Sequence, residues 1–445
     1  MVADSSVSMT LSKAIPADEM KRMILDNIPV SPKEAAERFK WDERLIQPEN
    51  YLEKFNTFFD NHPELAGVDR DALYATIGDS FHLIDELTQI MIPTENGQSM
   101  NYHNEVHSKI TAIQALKHTL GSIALASREG TLPDELRDPD NLNQFLRLTV
   151  ISAVCHEEND WKAKPPVDPI TRMASAEGIA DKQSRMETAQ GRINQFLEAH
   201  QVSRSDFNIF LDADNFSKTP EEVMAEIGLT REFLNRNQLS EDQLIDIVDR
   251  DDFDPSQYQL GGEMATLRKT YADKKRRMSR PFLRVEGDTV PSLMDKMMAS
   301  SRVQFDRAMP LYTYSIGAAD FGQVGNPEYV RTIKIKIGEE VYSVPAGPLA
   351  LAYEMHKYTD NWAVSSGFGT ISADGELVLN VENVTTGDFF WNNFALPRIQ
   401  RGIASMKEFS PGKGGEGENA ENLYGNIHHI VEENTAKLKA SKGVK

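Results

Sequence analysis

The feature that most constrains the fold is the helical spacing of apolar residues through the first two thirds of the chain. Between residues 69 and 278, apolar side chains recur at intervals of three and four residues. Short polar or proline-containing loops separate these segments. Strand-type alternation is essentially absent before residue 310. We therefore expect a mainly α protein, with an all-helical domain over residues 71–280 and a helical arm over residues 1–70.

The character of the sequence changes after about residue 310. Residues 330–337 alternate isoleucine with polar residues, turn at Gly338 and resume at 341–344, which predicts a β-hairpin. A second hairpin is predicted around Asp374-Gly375, since this dipeptide favours tight hairpin turns. The stretch Phe409–Asn422 is rich in glycine and glutamate and predicts a flexible tail segment, with a last short amphipathic helix after it. Residues 281–445 are therefore expected to form a smaller α+β domain.

The charge and the cysteine content exclude several classes of protein. The 445-residue chain has a formal net charge of −20, so a general nucleic-acid binder or an anionic-membrane binder is disfavoured. The single cysteine, Cys155, excludes an intramolecular disulfide and a thiolate zinc cluster. No run approaches the roughly 18 apolar residues of a membrane span. We expect a cytoplasmic protein of a reducing compartment without membrane insertion, and delivery into a host cell stays open.

Two dense polar groups adjoin apolar helical segments and are the candidates for chemistry. Residues 102–107 read Tyr-His-Asn-Glu-Val-His and open a helical pattern. If that helix begins near His103, then His103 and His107 share one face. His156, followed by Glu157, closes the next apolar segment. A lone histidine is most often structural, but imidazoles and carboxylates converging from several helices form sites for divalent metals.

The order of these motifs resembles the HD-domain superfamily, in particular its cyclic-nucleotide phosphodiesterase branch. Residues 102–107 are similar to that family's Tyr-His-Asn-x-x-His signature, and residues 151–160 to its apolar helix ending in a His-Asp motif. Residues 184–187 read Ser-x-x-Glu, as in the phosphodiesterases. Residues 210–217 are the candidate for the family's final aspartate. The resemblance covers roughly residues 75–280.

The resemblance implies a metal site and a proton donor. His107, His156, Glu157 and Asp214 would hold a divalent metal, which could be Mg²⁺, Mn²⁺, Fe²⁺, Ni²⁺ or Zn²⁺. His103 would protonate the leaving oxygen of the substrate.

Two further carboxylates, Asp160 and Glu187, would support catalysis beside the metal or at a second metal. Asp212, Asp246 and Asp249 compete with Asp214 for the role of last ligand.

The sequence departs from the family pattern at named positions. Glu157 stands where the family has aspartate, and Ala189-Gln190 where it has a histidine pair. The glutamine and phenylalanine that clamp a purine are not identified.

The expected function is a metal-dependent phosphohydrolase, specifically a phosphodiesterase, that uses metal-activated water and a histidine general acid. Its substrate would be a phosphoester or phosphodiester, with nucleotide-derived molecules included. The alternative is a catalytically degenerate HD-like domain that binds a ligand or a protein, as a secreted effector could. The sequence does not decide the oligomeric state.

Overall fold

The architecture is mainly helical, which confirms the mainly α prediction. The computed structural model describes residues 27–91, 100–156, 176–211, 305, 308–322, 326–358, 367–386 and 396–441. Among the described residues before position 300, the helices are Pro32–Glu37 (α1), Pro48–Asn61 (α2), Arg70–Met91 (α3), Glu105–Glu129 (α4), Pro139–Cys155 (α5), Ala176–Ala199 (α6) and Arg204–Leu211 (α7). Single 3-10 turns occur at Glu43–Ile46, Pro63–Leu65 and Asp134–Arg137.

The later part of the chain mixes helices with two small hairpins. Its elements are Met309–Phe321 (α8), Pro327–Val330 (α9), Thr332–Ile337 (β1), Glu340–Pro345 (β2), Ala346–Tyr358 (α10), Gly369–Ile371 (β3), Leu377–Leu379 (β4), Val381–Thr386 (α11), Leu396–Phe409 (α12) and Glu416–Ser441 (α13). In the part of the chain that is described, no helix is long and apolar enough to cross a membrane.

Helix α4 is the central element of the described structure. Asn104 caps its N-terminus by accepting a hydrogen bond from the backbone N–H of His107, and Gly130 ends it in the left-handed conformation. Most of its residues between His107 and Ala124 are buried. It packs against α5, α8 and α12. A helix covered on so many sides can hold polar side chains inside the protein, and α4 holds His107 in its first turn and Lys117 and His118 near its middle.

Helices α4 and α12 cross at very close range because small residues face each other there. A Cβ added to Gly121 would lie 2.9 Å from the carbonyl carbon of Ser405 and closer still to its oxygen. A Cβ on Gly402 would lie 2.9 Å from Cε1 of His118. His118 is fully buried, and its Nδ1 lies 2.8 Å from the Ser405 hydroxyl, which itself donates to Gly402 O. The imidazole therefore helps to connect the two helices.

Burial of His118 makes the stability of the protein dependent on pH. Burial lowers its pKa from 6.5 to about 3, with Glu416 opposing that shift and Lys117 adding to it. Below about pH 6.5 this histidine binds a proton in the unfolded chain but stays neutral in the folded chain. The free energy of unfolding therefore falls as the pH falls. Between about pH 7 and pH 5 this group accounts for a loss of about 2 kcal/mol. Urea denaturation of His118→Asn should show a pH-dependent loss smaller by that amount; an unchanged loss would contradict this assignment.

One hydrophobic core joins helices from distant parts of the sequence. It contains residues of α2 to α5, together with buried side chains from α8 and α12 such as Tyr312 and Phe409. A second cluster joins α1, the two hairpins, α10 and α13. The predicted boundary at 280/281 lies outside the described residues, and the domain limits stay a prediction.

The two hairpins lie where the residue alternation predicted strands. Strands β1 and β2 are antiparallel with Ile337 opposite Glu340, and β3 pairs with β4 with Ile371 opposite Leu377. Gly338 and Gly375 adopt positive φ in the turns. Val30 adds a parallel bridge to the outer edge of β1.

Helix α13 begins inside the segment Phe409–Asn422 that was predicted to be flexible, and it is longer than the short helix predicted after that segment. Its first residue, Glu416, is buried and accepts from Nζ of Lys117 at 2.7 Å and from Nζ of Lys54 at 2.5 Å. Burial opposes ionisation of Glu416, but the two lysines lower its pKa to about 2. These ion pairs attach α13 to α4 and α2, a long-range interaction that the glycine content did not indicate.

Candidate functional site

Three helices bring His107, His156 and Asp320 together. His107 lies in the first turn of α4, His156 follows the last residue of α5, and Asp320 lies near the end of α8. Asp320 Oδ1 is 3.3 Å from His107 Nε2 and 3.5 Å from His156 Nε2. One ligand atom from each residue lies within 4.8 Å of the others. We call these three residues the His-His-Asp cluster.

The protonation states of the cluster suit metal ligation. Burial lowers the pKa of His107, although Asp320 opposes this shift. Burial alone would raise the pKa of Asp320, but the adjacent His107 and His156 rings hold it well below its ordinary value. A neutral imidazole beside an ionised carboxylate is the combination that a divalent cation requires.

The orientation of the His156 ring is fixed through its Nδ1. This nitrogen lies 2.6 Å from the carbonyl oxygen of Ala153. Because a carbonyl oxygen only accepts hydrogen bonds, Nδ1 carries a proton, and in the neutral form of the ring Nε2 carries the lone pair. A backbone carbonyl that holds the second nitrogen of a histidine is common around protein-bound metals.

The spacing of the cluster also fits a metal ion. Four ligands at about 2.1 Å in a tetrahedral arrangement are separated by about 3.4 Å. The distances of 3.3 Å and 3.5 Å from Asp320 Oδ1 match this edge. His107 is fully buried, and among the described residues neither of its ring nitrogens makes a hydrogen bond of good geometry. By two of its three interatomic distances, its charge and its donor types, the cluster could hold a divalent cation.

His103 is held next to the cluster by Glu354 of α10. Oε1 of Glu354 lies 2.6 Å from His103 Nδ1 and accepts from the His103 backbone N–H at 3.1 Å. Its Oε2 accepts from the Tyr102 backbone N–H at 2.8 Å. The carboxylate can only accept, so His103 Nδ1 is protonated and Nε2 is the nitrogen that can exchange a proton. The ring centroids of His103 and His107 are 5.5 Å apart.

An aromatic wall fixes the ring of His107. Trp41 stacks on it at 5.1 Å between centroids, and Tyr102 contacts it at 5.0 Å. Trp41 Nε1 donates to Tyr102 O at 2.6 Å, and the Tyr329 ring is stacked with that of Trp41 at 6.0 Å between centroids. Burial raises the pKa of the Tyr329 hydroxyl, and the negative charge of Asp320 raises it further. The wall excludes water from His107 and limits the rotation of its ring.

The structure places the sequence-derived candidates unevenly. His107 and His156 meet, and His103 lies beside them, but α4 begins at Glu105, so His103 precedes the helix instead of sharing its face. Glu187 lies on an exposed part of α6 and does not belong to the cluster.

The remaining candidates lie outside the described residues. These are the proposed ligands Glu157 and Asp214, the proposed catalytic Asp160, and the rivals Asp212, Asp246 and Asp249. Their roles stay predictions.

Two carboxylates of the site, Asp320 and Glu354, were not identified from the sequence. Each is the single acidic residue of an otherwise largely apolar helix, α8 and α10 respectively. A lone carboxylate in such a helix is costly to bury without a partner, so this pattern is a usable signal. The aspartates predicted as last ligand, at positions 212, 214, 246 and 249, are nearer to His156 along the chain than Asp320 is.

Comparisons with protein-family models, with curated proteins and with solved structures find no match.

Proposed function

We propose that this protein is a metal-dependent phosphohydrolase of the phosphodiesterase type. The observation that carries the proposal is the convergence of the His-His-Asp cluster with the His103–Glu354 pair at its side. His107, His156 and Asp320 would hold the divalent cation, with Glu157 as a further candidate ligand. Asp320 takes the role of last ligand for which Asp214 was a candidate.

Each residue of the site has a chemical task in this proposal. A divalent ion in the cluster would act as a Lewis acid on the phosphoryl group and lower the pKa of a nearby water. Asp320 supplies the negative charge that favours a cation there. In its protonated form His103 would donate a proton from Nε2 to the leaving oxygen and become neutral, and Glu354 would stabilise the protonated ring by accepting from Nδ1. The aromatic wall keeps His107 in its ligating orientation.

The donor set narrows the choice of cation within the proposal. Two imidazoles and one carboxylate suit Zn²⁺, Fe²⁺, Mn²⁺ or Ni²⁺ better than Mg²⁺, which prefers oxygen ligands. The substrate class is a phosphoester or phosphodiester, with nucleotide-derived molecules included.

The proposal keeps the HD-type fold but extends it. Asp320 and Glu354 both follow residue 280, so an HD-type helical unit would have to include α8 and α10. The β-hairpins would then be additions to that unit.

A second candidate is a related domain that binds a ligand without turnover. The observation that favours it is the burial of the histidines: His103 is 4% exposed and His107 is 0% exposed. A substrate would need to reach Nε2 of His103 past the surrounding side chains.

The proposed function is tested by separating metal binding from proton donation. The purified chain, loaded with Mn²⁺ or Zn²⁺, should hydrolyse bis(4-nitrophenyl) phosphate. His103→Asn should lower kcat by about 10²- to 10⁴-fold while the bound metal, measured by elemental analysis, stays unchanged. His428→Asn, at an exposed position of α13, is the matched control and should change neither quantity. Metal binding without turnover of any phosphoester would overturn the proposal in favour of the second candidate.

A further inference from the structure

Apart from the His-His-Asp cluster, the protein has a cleft of about 650 Å³ with a lining that is rich in asparagine. Its five asparagines are Asn50, Asn326, Asn419, Asn422 and Asn426, and we call it the asparagine cleft. It lies between the segment that leads into α2, the start of α9 and the first half of α13. Its volume falls within the range of small-molecule sites, about 300–1,000 Å³.

Helix α13 presents three of these amides on one face. Asn419, Asn422 and Asn426 follow one another at intervals of three and four residues, so their side chains lie above one another along the helix. All three side chains are exposed to solvent rather than buried in the core, and all three line the cleft. Such a row offers alternating donors and acceptors to a ligand with several hydroxyl groups.

Asn326 has a buried amide that lacks a partner. It is 0% exposed and lines the cleft. Its Oδ1 accepts from the backbone N–H of Glu328 at 3.1 Å, but its Nδ2 has no hydrogen-bond partner among the described residues. A buried donor without a partner is costly, and a ligand acceptor in the cleft would satisfy it.

The charges of the cleft favour a neutral ligand. The Arg44 guanidinium contacts the Asp42 carboxylate through two bonds of 2.8 Å, Nε to Oδ1 and Nη2 to Oδ2. The ammonium of Lys54 lies 2.5 Å from Glu416 Oε1. Each cation is therefore engaged by a carboxylate, although Lys54 shares Glu416 with the buried Lys117. An anionic ligand would have to compete with these ion pairs, whereas a neutral molecule needs only the amides. Two of these amides, Asn50 and Asn419, also donate to the backbone oxygens of Arg44 and Gly414.

We propose that the asparagine cleft binds a neutral vicinal diol, as found in a free sugar or in the ribose of a nucleoside. An amide offers both a donor and an acceptor, and each hydroxyl of a diol is also both. Leu45, Val330 and Leu423 supply an apolar wall for the C–H face of the sugar ring. The site is separate from the His-His-Asp cluster and does not require the proposed hydrolase function.

Isothermal titration calorimetry on the full chain tests this proposal, with EDTA present so that metal binding does not contribute. The nucleoside arm compares adenosine with 2′-deoxyadenosine, which lacks only the vicinal diol. The sugar arm uses D-glucose and D-ribose. We expect saturable binding in one of the two arms, and in the nucleoside arm a clear preference for adenosine over its deoxy analogue.

Variants locate the binding in the cleft. Asn422→Ala combined with Asn426→Ala changes only exposed side chains and should weaken binding about tenfold. Asn326→Ser keeps an oxygen for the Glu328 N–H but removes the amide donor, and should also weaken binding. Asn61→Ala, at an exposed position at the end of α2, is the matched control and should bind as the unmodified chain does.

Three results would overturn the proposal. The first is an absence of saturable binding in both arms at millimolar concentrations. The second is equal affinity for the deoxy analogue without binding of either sugar, or equal affinity of the Asn422→Ala/Asn426→Ala variant. The third is displacement of the bound probe by inorganic phosphate, since this would assign the cleft to anions.

Discussion

Asp320→Asn is expected to weaken divalent-metal binding by at least about 100-fold and to reduce phosphoester hydrolysis to the metal-free level. The substitution keeps the shape of the side chain but removes the charge that faces both His107 Nε2 and His156 Nε2. Two neutral imidazoles alone then remain in a buried site. Titration of the metal ion into the protein, monitored by isothermal titration calorimetry, measures the metal affinity directly.

Thermal stability provides a second readout that does not depend on the substrate. A ligand at 100 times its Kd stabilises the folded state by about 2.7 kcal/mol, so metal should raise the Tm of the unmodified protein. It should leave the Tm of Asp320→Asn almost unchanged. Asp374→Asn, in the exposed β3–β4 turn, is the matched control, because Asn-Gly suits that turn as well as Asp-Gly. Equal metal affinity in Asp320→Asn would exclude Asp320 from the site.

The second large effect that we expect is a loss of folding stability in a glycine variant of α4. Gly121→Ala should lower the free energy of unfolding by about 3 kcal/mol or more, because the new methyl group would overlap the backbone of Ser405 on α12. The clash involves backbone atoms, so a change of side-chain rotamer cannot relieve it. The two helices would have to separate, with loss of packing along the whole crossing. Urea denaturation at neutral pH measures the difference.

Gly78→Ala is the matched control for that prediction. Gly78 lies inside α3, and a Cβ there would meet nothing within 4 Å. Alanine should therefore stabilise the protein by about 0.5–1 kcal/mol, through its higher helix propensity. Similar effects of the two substitutions would show that the α4–α12 crossing is not as close as described.

Local elements were predictable from the sequence where the physical signal is local. Asp69 is of a residue type that favours the N-cap of a helix, and its Oδ1 accepts from the backbone N–H of Ala72 at the start of α3. Helix α5 begins at Pro139, since Asp138 caps it and proline suits a first turn. The hairpin turns followed from glycines that can adopt positive φ.

The site was only partly predictable because its members are distant in sequence. His107 and His156 stood out as motifs, and the structure brings them together. Asp320 approaches them only because α8 packs along α4, and Glu354 reaches His103 only because α10 lies beside the start of α4. Residue spacing carries no information about such long-range packing. A search for single carboxylates in apolar helices would have identified both residues.

X-ray diffraction from crystals loaded with Zn²⁺ or Mn²⁺, recorded at the absorption edge of the metal, tests the metal site most directly. Our account predicts an anomalous peak about 2.0–2.2 Å from His107 Nε2, His156 Nε2 and a carboxylate oxygen of Asp320. The peak should disappear in His156→Ala. A protein that binds no metal, or binds it away from these three side chains, would contradict the account.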